Sequence, residues 1–262
     1  MSANLHYFVS DVHLGLKIDK RELIEKRFVG FLRSLPENTA ALYLLGDIFD
    51  FWYEYKYVIP KGYSRVLGLL AELSDRGVMV YFIKGNHDFW TFGYLEREIG
   101  MTLLKESEIV DIGGVRFCLA HGDKFGADRS YLFMKSLFKN RFLQRMLSSL
   151  HPRWVFAFAR RWSRHNRLVR GAQEGFRGEA DPLYGYAATF EERERVDNFI
   201  FGHMHTPGNC ATPKGAGFYI LGDWINGCEY LVFDSDTKEM KWHTGAEVAD
   251  DKEGEYRDQN IE

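Results

Sequence analysis

Cysteine is nearly missing from this chain of 262 residues: Cys118, Cys210 and Cys228 are odd in number and show no CxxC spacing. That excludes a disulfide framework and fits a reducing compartment. Long apolar runs are missing too, since a stretch such as Trp154 to Ala159 falls far short of the ~18 residues of a membrane span. No charged n-region and apolar h-region precede the strand-like Leu5–Val9, so no secretory signal is expected. Nor is hydrophobicity low enough for disorder, at 45% against 27% charged residues. A chain of this length buries about 70–75% of its unfolded surface and needs no cross-link to fold. The expectation is a soluble, cytoplasmic protein with one large domain, or one domain carrying an insertion.

Aromatic residues are abundant and charge is unevenly placed. Residues 124–178 hold thirteen Lys and Arg against Asp128 and Glu174, a net of +11, within a chain whose total is −3. The remainder is therefore at −14, and the same segment carries ten Phe, Tyr or Trp. A basic, aromatic stretch in an acidic protein implies an anionic partner: a phosphorylated substrate, a lipid surface or a nucleic acid.

Short apolar and β-branched runs predict strands at Leu5–Val9, Ala41–Leu45, Val78–Ile83, Val115–Ala120, Asn198–Phe201, Phe218–Leu221 and Glu229–Phe233. Helical spacing predicts helices over Arg21–Leu35 and Ser64–Arg76, the second stopped by Gly77. This alternation indicates an α/β core. Between 124 and 178 the strand signal disappears. There Tyr131–Leu150 reads as one amphipathic helix, Pro152 as a break, and Trp154–Arg170 as a second helix with a basic face. The expected organisation is a core of residues 1–123 and 179–246, a helical cap insertion over 124–178, and a loose acidic tail over 247–262.

Polar residues follow nearly every predicted strand. In order they are Asp11-Val12-His13, Gly46-Asp47-Ile48-Phe49-Asp50, Gly85-Asn86-His87-Asp88, His121-Gly122-Asp123 and Gly202-His203-Met204-His205. In α/β sheets the carboxyl ends of strands form the ligand crevice, so five strand ends can deliver these side chains to one place. Oxygen and imidazole donors without thiolate suit Mn, Fe, Zn or, less tightly, Mg. Two such ions bridged by one carboxylate form the clamp of phosphate-ester hydrolysis, in which a metal-activated water attacks phosphorus. No motif is specific alone: Asp-x-His is a common surface pattern, and a lone His121 is more often a core histidine. The specificity lies in the set.

Asp-x-His, Gly-Asp-x-x-Asp, Gly-Asn-His-Asp, His and Gly-His-x-His in that order resemble the signature of calcineurin-like metallophosphoesterases, from about residue 5 to 234. The resemblance implies an αββα sandwich of two mixed sheets, here with a helical cap insertion. By matching positions, Asp11, His13, Asp47 and His205 would hold one ion, and Asp47, Asn86, His121 and His203 the other, with Asp47 bridging. His87 would face the phosphate, steadied by Asp88, making Asn86, His87 and Asp88 the catalytic set and Asn86, His87 and His203 substrate contacts as well.

A narrower resemblance comes from the surroundings. Phe51-Trp52 extends the second motif, Gly100-Met101-Thr102-Leu103-Leu104 follows the third, and 81 residues separate His121 from His203. Together these look like the UDP-2,3-diacylglucosamine hydrolases of lipid A synthesis. That implies cleavage of a UDP-linked, acylated sugar to UMP and a lipid sugar 1-phosphate, with two divalent ions, Mn2+ first and Fe, Zn or Mg as alternatives. Asp128, Tyr131, Ser163, Arg167 and Arg170 match the family's substrate-contact positions, whereas well-known members carry Arg where this chain has His87. Apolar cap residues, among them Phe133, Phe138, Phe142 and Met146, exceed the need of one packed helix face and suit an acyl groove beside cations. A basic amphipathic helix also reads as a contact with the inner face of the cytoplasmic membrane. No nucleic-acid partner is expected. A soluble nucleotide, phosphoprotein or nucleic-acid phosphoesterase would leave the cap unexplained, and a non-catalytic scaffold would not need all seven ligands.

Overall fold

A computed structural model describes residues 3–16, 21–157, 161 and 175–245. Its first sheet runs in the order β11-β10-β1-β2-β3-β4, built from β1 (Leu5–Val9), β2 (Thr39–Leu44), β3 (Met79–Phe82), β4 (Thr102–Leu103), β10 (Glu229–Asp234) and β11 (Glu239–Thr244). Strands β1 to β4 are parallel, and β10 lies antiparallel to both of its neighbours. The second sheet has the order β5-β6-β7-β9-β8, from β5 (Ser107–Ile112), β6 (Val115–Ala120), β7 (Asn198–Phe201), β8 (Gly208–Ala211) and β9 (Gly217–Ile220). Its central β6, β7 and β9 are parallel, with antiparallel edges.

Strand residues alternate between faces, so a strand apolar on both sides serves two cores. Phe8, Tyr43, Phe117, Leu119 and Ile200 meet between the sheets. The rings of Phe8 and Phe117 lie 5.7 Å apart, one from each sheet. The alternate residues Tyr7, Val9, Leu42, Leu44 and Phe82 face α1 (Arg21–Ser34) and α2 (Ser64–Asp75). On the opposite outside, Cys118, Ala120, Phe199 and Phe201 pack against Leu183 and Ala187 of a helix over Pro182–Glu191. The result is four layers, helix–sheet–sheet–helix, with the parallel strand ends of both sheets meeting at one side.

The segment after β6 holds α4 (Arg129–Lys139) and α5 (Arg141–Ser148), beyond the short α3 (Tyr94–Arg97), and helical residues 152–157, here α6. The helix over Pro182–Glu191 is therefore α7. The single helix expected over Tyr131–Leu150 is two. Asn140 breaks it, with extended backbone (ψ 121°) and a side chain that accepts from Phe142 N and Leu143 N, capping α5. Asn offers the chain its own amide oxygen in place of a helical partner, which disfavours a helix interior and suits a cap. The helix expected to run to Arg170 and the tail over 247–262 lie outside the described residues beyond 157 and 245.

His6 sits on β1 with Tyr43 and Phe233 as ring neighbours at 6.3 Å, and its Nδ1 is buried without a hydrogen-bond partner. Burial pushes its pKa down from 6.5 to about 4; Asp234 opposes this and Lys238 adds to it. The unfolded chain thus binds the proton more readily, so this group's contribution is fully present above pH 6.5 and is lost as pH falls toward about 4. His6→Phe is expected to flatten that part of the stability profile, as read by urea unfolding at neutral pH and at about pH 5.

Candidate metal centre

The loops after β1 and β2 run side by side: Asp11 N donates to Gly46 O (3.1 Å), His13 N to Asp47 O (2.9 Å) and Leu14 N to Ile48 O (2.9 Å). Five residues of the cluster take left-handed backbone: Asp11 (φ 53°), His13 (51°), Asp47 (53°), His203 (70°) and His205 (56°). Each such residue costs on the order of 1–3 kcal/mol and persists only where its surroundings hold it. Here side chains do the holding. Asp11 Oδ2 accepts from Ser10 Oγ (2.6 Å) and His203 N (2.8 Å), while Asp47 Oδ1 accepts from His87 N (2.8 Å). Gly85 lets the third loop close in, because a Cβ there would stand 2.1 Å from Asp47 Oδ1 and 2.4 Å from Asp47 N.

Three overlapping groups of possible metal donors result: Asp11, His13 and His205; His13, Asp47 and His87; and Asp47, His121 and His203. His205 Nε2 lies 3.2 Å from Asp11 Oδ1 and 3.3 Å from His13 Nε2. Asp47 Oδ2 lies 3.3 Å from His121 Nε2, 3.9 Å from His87 Nε2 and 4.0 Å from His13 Nε2, so it stands between the groups. Asn86 Oδ1 approaches His121 Nε2 at 3.3 Å. All seven expected ligands, Asp11, His13, Asp47, Asn86, His121, His203 and His205, thus come from loops that the fold brings together.

The atoms fit divalent ions. Asp11 Oδ1 is buried and accepts no hydrogen bond, yet imidazole nitrogens face it. Burial pushes the Asp11 carboxyl up, helped by Asp47 and opposed by His205 and His121. Burial also works against charge on Asp47, but His121, His87 and His13 more than offset it and hold the group well below the carboxylate range. Against its own burial, His121 is pushed up to about 10, chiefly by Asp47. His205 is raised in the same way by Asp11 and Asp223. The imidazoles are drawn toward protonation to neutralise buried carboxylates, and a divalent cation provides the same neutralisation while releasing those protons.

Two side chains sit differently from expectation. Asp88 does not steady the His87 ring. Its carboxylate accepts from the backbone N–H groups of Gly85 (2.9 Å), Asp47 (3.2 Å), Ile48 (2.8 Å) and Phe49 (3.3 Å), which pins the second loop to the third. Burial, with Asp47 nearby, pushes its pKa up to about 7 despite these donors. The partner of His87 Nδ1 is the Asp50 carbonyl at 2.8 Å, a backbone acceptor that residue type alone does not reveal. Sequence reasoning also passed over Asp223, after β9, whose Oδ2 lies 3.2 Å from His205 Nδ1. Its signal was present, since Gly222-Asp223 after a strand repeats the pattern of Gly46-Asp47.

The cap helices are seated on the loops that carry Asp47 and His87. Phe51, Tyr53 and Val155 form an apolar cluster with Trp90, Leu147 and Phe156, and Tyr53 Oη donates to Gln144 O (2.8 Å). Part of the basic charge is spent on this docking. Lys135, buried, pairs with Asp123 (2.5 Å), and Lys124 and Lys139 pair with Glu106. Tyr131 donates its hydroxyl to Asp123 (2.6 Å), and Asp128 caps α4 by accepting from Tyr131 N (2.7 Å). Ser163, Arg167 and Arg170 lie outside the described residues. Phe133, Phe142 and Trp154 remain 67%, 69% and 70% exposed, whereas Phe138 is half-buried against Trp90.

Comparison with known proteins agrees with this arrangement. A UDP-2,3-diacylglucosamine hydrolase of Porphyromonas gingivalis is 36% identical over 247 residues, 88% of this chain and 94% of that protein. Proteins of the same name from Neisseria gonorrhoeae (32% identity, 84% of this chain, 90% of that protein) and Vibrio vulnificus (29%, 87%, 93%) are also similar. Residues 7–207 match the calcineurin-like phosphoesterase family, and with its strand-end Asp and His cluster in place the chain belongs to that family.

Proposed function

We propose that the protein hydrolyses the pyrophosphate of UDP-2,3-diacylglucosamine, giving UMP and 2,3-diacylglucosamine 1-phosphate, the reaction of lipid A synthesis. The observation that carries this is Asp47 Oδ2 standing between two imidazole groups, 3.3 Å from His121 Nε2 and 4.0 Å from His13 Nε2. Such a carboxylate suits a bridge between two divalent ions. The similarity to hydrolases of that name across most of the chain supports the substrate. Asp11, His13, Asp47 and His205 would hold one ion, and Asp47, Asn86, His121 and His203 the other, with Mn2+ the first choice and Fe, Zn or Mg as alternatives. When bound, these ions supply Lewis acidity for phosphoryl oxygens and acidify a water at neutral pH.

The chain's own groups orient and stabilise. Asn86 presents an amide, and its N–H groups suit the equatorial oxygens as charge builds on them. His87 keeps Nδ1 on the Asp50 carbonyl, so Nε2 donates toward a phosphate only when the ring carries a second proton. The leaving group is a sugar phosphate, which departs without strong acid assistance, so the role of His87 is mainly electrostatic. Asp88 acts indirectly, by fixing the loops of Asp47 and Asn86. Asp128 and Tyr131 order α4, and with Ser163, Arg167 and Arg170 they remain proposed substrate contacts.

Among the described residues no helix is long and apolar enough to cross a membrane. Exposed Phe133, Phe142 and Trp154 beside basic residues suit a lipid substrate, and with it peripheral contact of the cap with the inner face of the cytoplasmic membrane. Mass analysis after incubation with Mn2+-loaded protein tests the activity: UMP and the lipid sugar phosphate are expected, and neither should form in chelator.

The cap should set substrate class while the metal loops set rate. Phe142 is exposed, so Phe142→Ala leaves the fold intact and removes apolar area alone. At roughly 25 cal/mol per Å2 covered by an acyl chain, kcat/KM for the long-chain substrate should fall by about fivefold to tenfold. Hydrolysis of bis-p-nitrophenyl phosphate, which never reaches the cap, should barely change. A parallel fall in both activities would favour a plain soluble phosphoesterase.

A further inference from the structure

The loop after β9 contributes a sixth strand end to the centre, through a side chain that faces a histidine from behind. Asp223 is buried, and both of its carboxylate oxygens are engaged. Oδ1 accepts from Ile225 N (3.0 Å), Asn226 N (2.8 Å) and Asn226 Nδ2 (3.2 Å), while Oδ2 faces Asn226 Nδ2 (3.0 Å) and His205 Nδ1 (3.2 Å). The turn itself is anchored. Trp224 N donates to Asp11 O (3.2 Å), and the fully buried Trp224 ring packs against Phe28 and Phe31 of α1 at 5.0 and 5.2 Å.

We propose that Asp223 is a positioning residue for the metal centre, holding the His205 ring so that Nδ1 carries the proton and Nε2 is offered to a divalent cation beside Asp11 and His13. A carboxylate only accepts, so Nδ1, which faces Asp223, must be the donor, and once a cation rather than a proton stands between Asp11 and the ring, the lone pair is offered by Nε2. That nitrogen lies 3.2 Å from Asp11 Oδ1. His121 follows the same logic with Nδ1 on the Leu45 carbonyl (2.9 Å), and His87 with Nδ1 on the Asp50 carbonyl (2.8 Å). In those two the backing acceptor is a neutral carbonyl; at His205 it is a fixed carboxylate, which also makes the ring a stronger donor to a cation. Carboxylates placed behind a ligating histidine typically contribute about 10- to 100-fold in metal affinity.

The inference rests on reading the cluster as a metal centre, and the test separates the two. Mn2+ is titrated calorimetrically into metal-free wild type, Asp223→Asn and Asp223→Ala, with metal content after dialysis as a second readout. The expected result is a loss of about 10- to 100-fold in affinity at one of two sites in Asp223→Ala. Asp223→Asn, which keeps an acceptor oxygen, should recover part of it. Equal uptake by wild type and Asp223→Ala overturns the inference alone; a wild type that takes up no Mn2+ overturns the metal reading and the inference with it. Asp223 also caps its own turn, so a measurement on unmutated protein guards against a variant that fails to fold. In 1H–15N spectra of Zn2+-loaded wild type, the proton of His205 should sit on Nδ1. A proton on Nε2 would overturn the inference.

Discussion

Asp47→Ala is expected to reduce turnover by at least about a thousandfold, roughly 4 kcal/mol of barrier, and to lower metal content at both sites together. Asp47 is the carboxylate that stands in two groups, and His13, His87 and His121 all lie within 4.0 Å of its Oδ2. Its other oxygen holds His87 N, so the change also frees the third loop. The buried His13 and His121 would then lose the carboxylate they both face. Metal analysis alongside kinetics checks the account. Near-native turnover and metal content in Asp47→Ala would rule out a shared carboxylate.

Gly85→Ala is expected to be nearly as damaging, although it adds a single methyl group and removes no functional atom. The new Cβ would stand 2.4 Å from the backbone nitrogen of Asp47, which cannot swing aside as a side chain end does. Either the second or the third loop must move, and both are fixed by Asp88 through Gly85 N, Asp47 N, Ile48 N and Phe49 N. Overpacking of this kind costs typically about 1–3 kcal/mol of stability. The larger effect should be on activity, because Asp47 and Asn86 are the groups displaced. Thermal unfolding and turnover separate the two: a moderate fall in Tm with activity nearly abolished is expected, and native activity would contradict the close approach.

The seven strands legible in the sequence are the interior strands of the two sheets. Phe8 and Phe117 point between the sheets while Val9 and Cys118 point outward, so β1 and β6 read as continuous apolar runs. The strands that were not legible, β4, β5, β8 and β11, are the four sheet edges. An edge strand such as β11, Glu239-Met240-Lys241-Trp242-His243-Thr244, is half solvated and spaced with charge, which guards its open side and erases the apolar run. Helix α7 escaped because Gly185 interrupts its pattern, although Asp181 before Pro182 is a start signal in itself.

At the site, the residues that point inward were legible because strand-end chemistry is written in residue type. What backs them was not. Asp50 serves His87 through its main chain, and Asp88 serves four main-chain nitrogens, so neither pairing leaves a side-chain pattern in the sequence. The break at Asn140 was overlooked for a similar reason: apolar spacing continues across it while the capping amide stops the helix.

The most direct test of the central claim is hydrolysis of UDP-2,3-diacylglucosamine in 18O-labelled water with Mn2+-loaded protein, followed by mass analysis of both products. A water that attacks the uridine-side phosphorus breaks its bond to the bridging oxygen, which leaves with the sugar 1-phosphate. One 18O should therefore appear in UMP and none in the lipid sugar phosphate. Label confined to the lipid product would mean that the substrate lies in the opposite sense, and absence of UMP would contradict the proposed reaction itself.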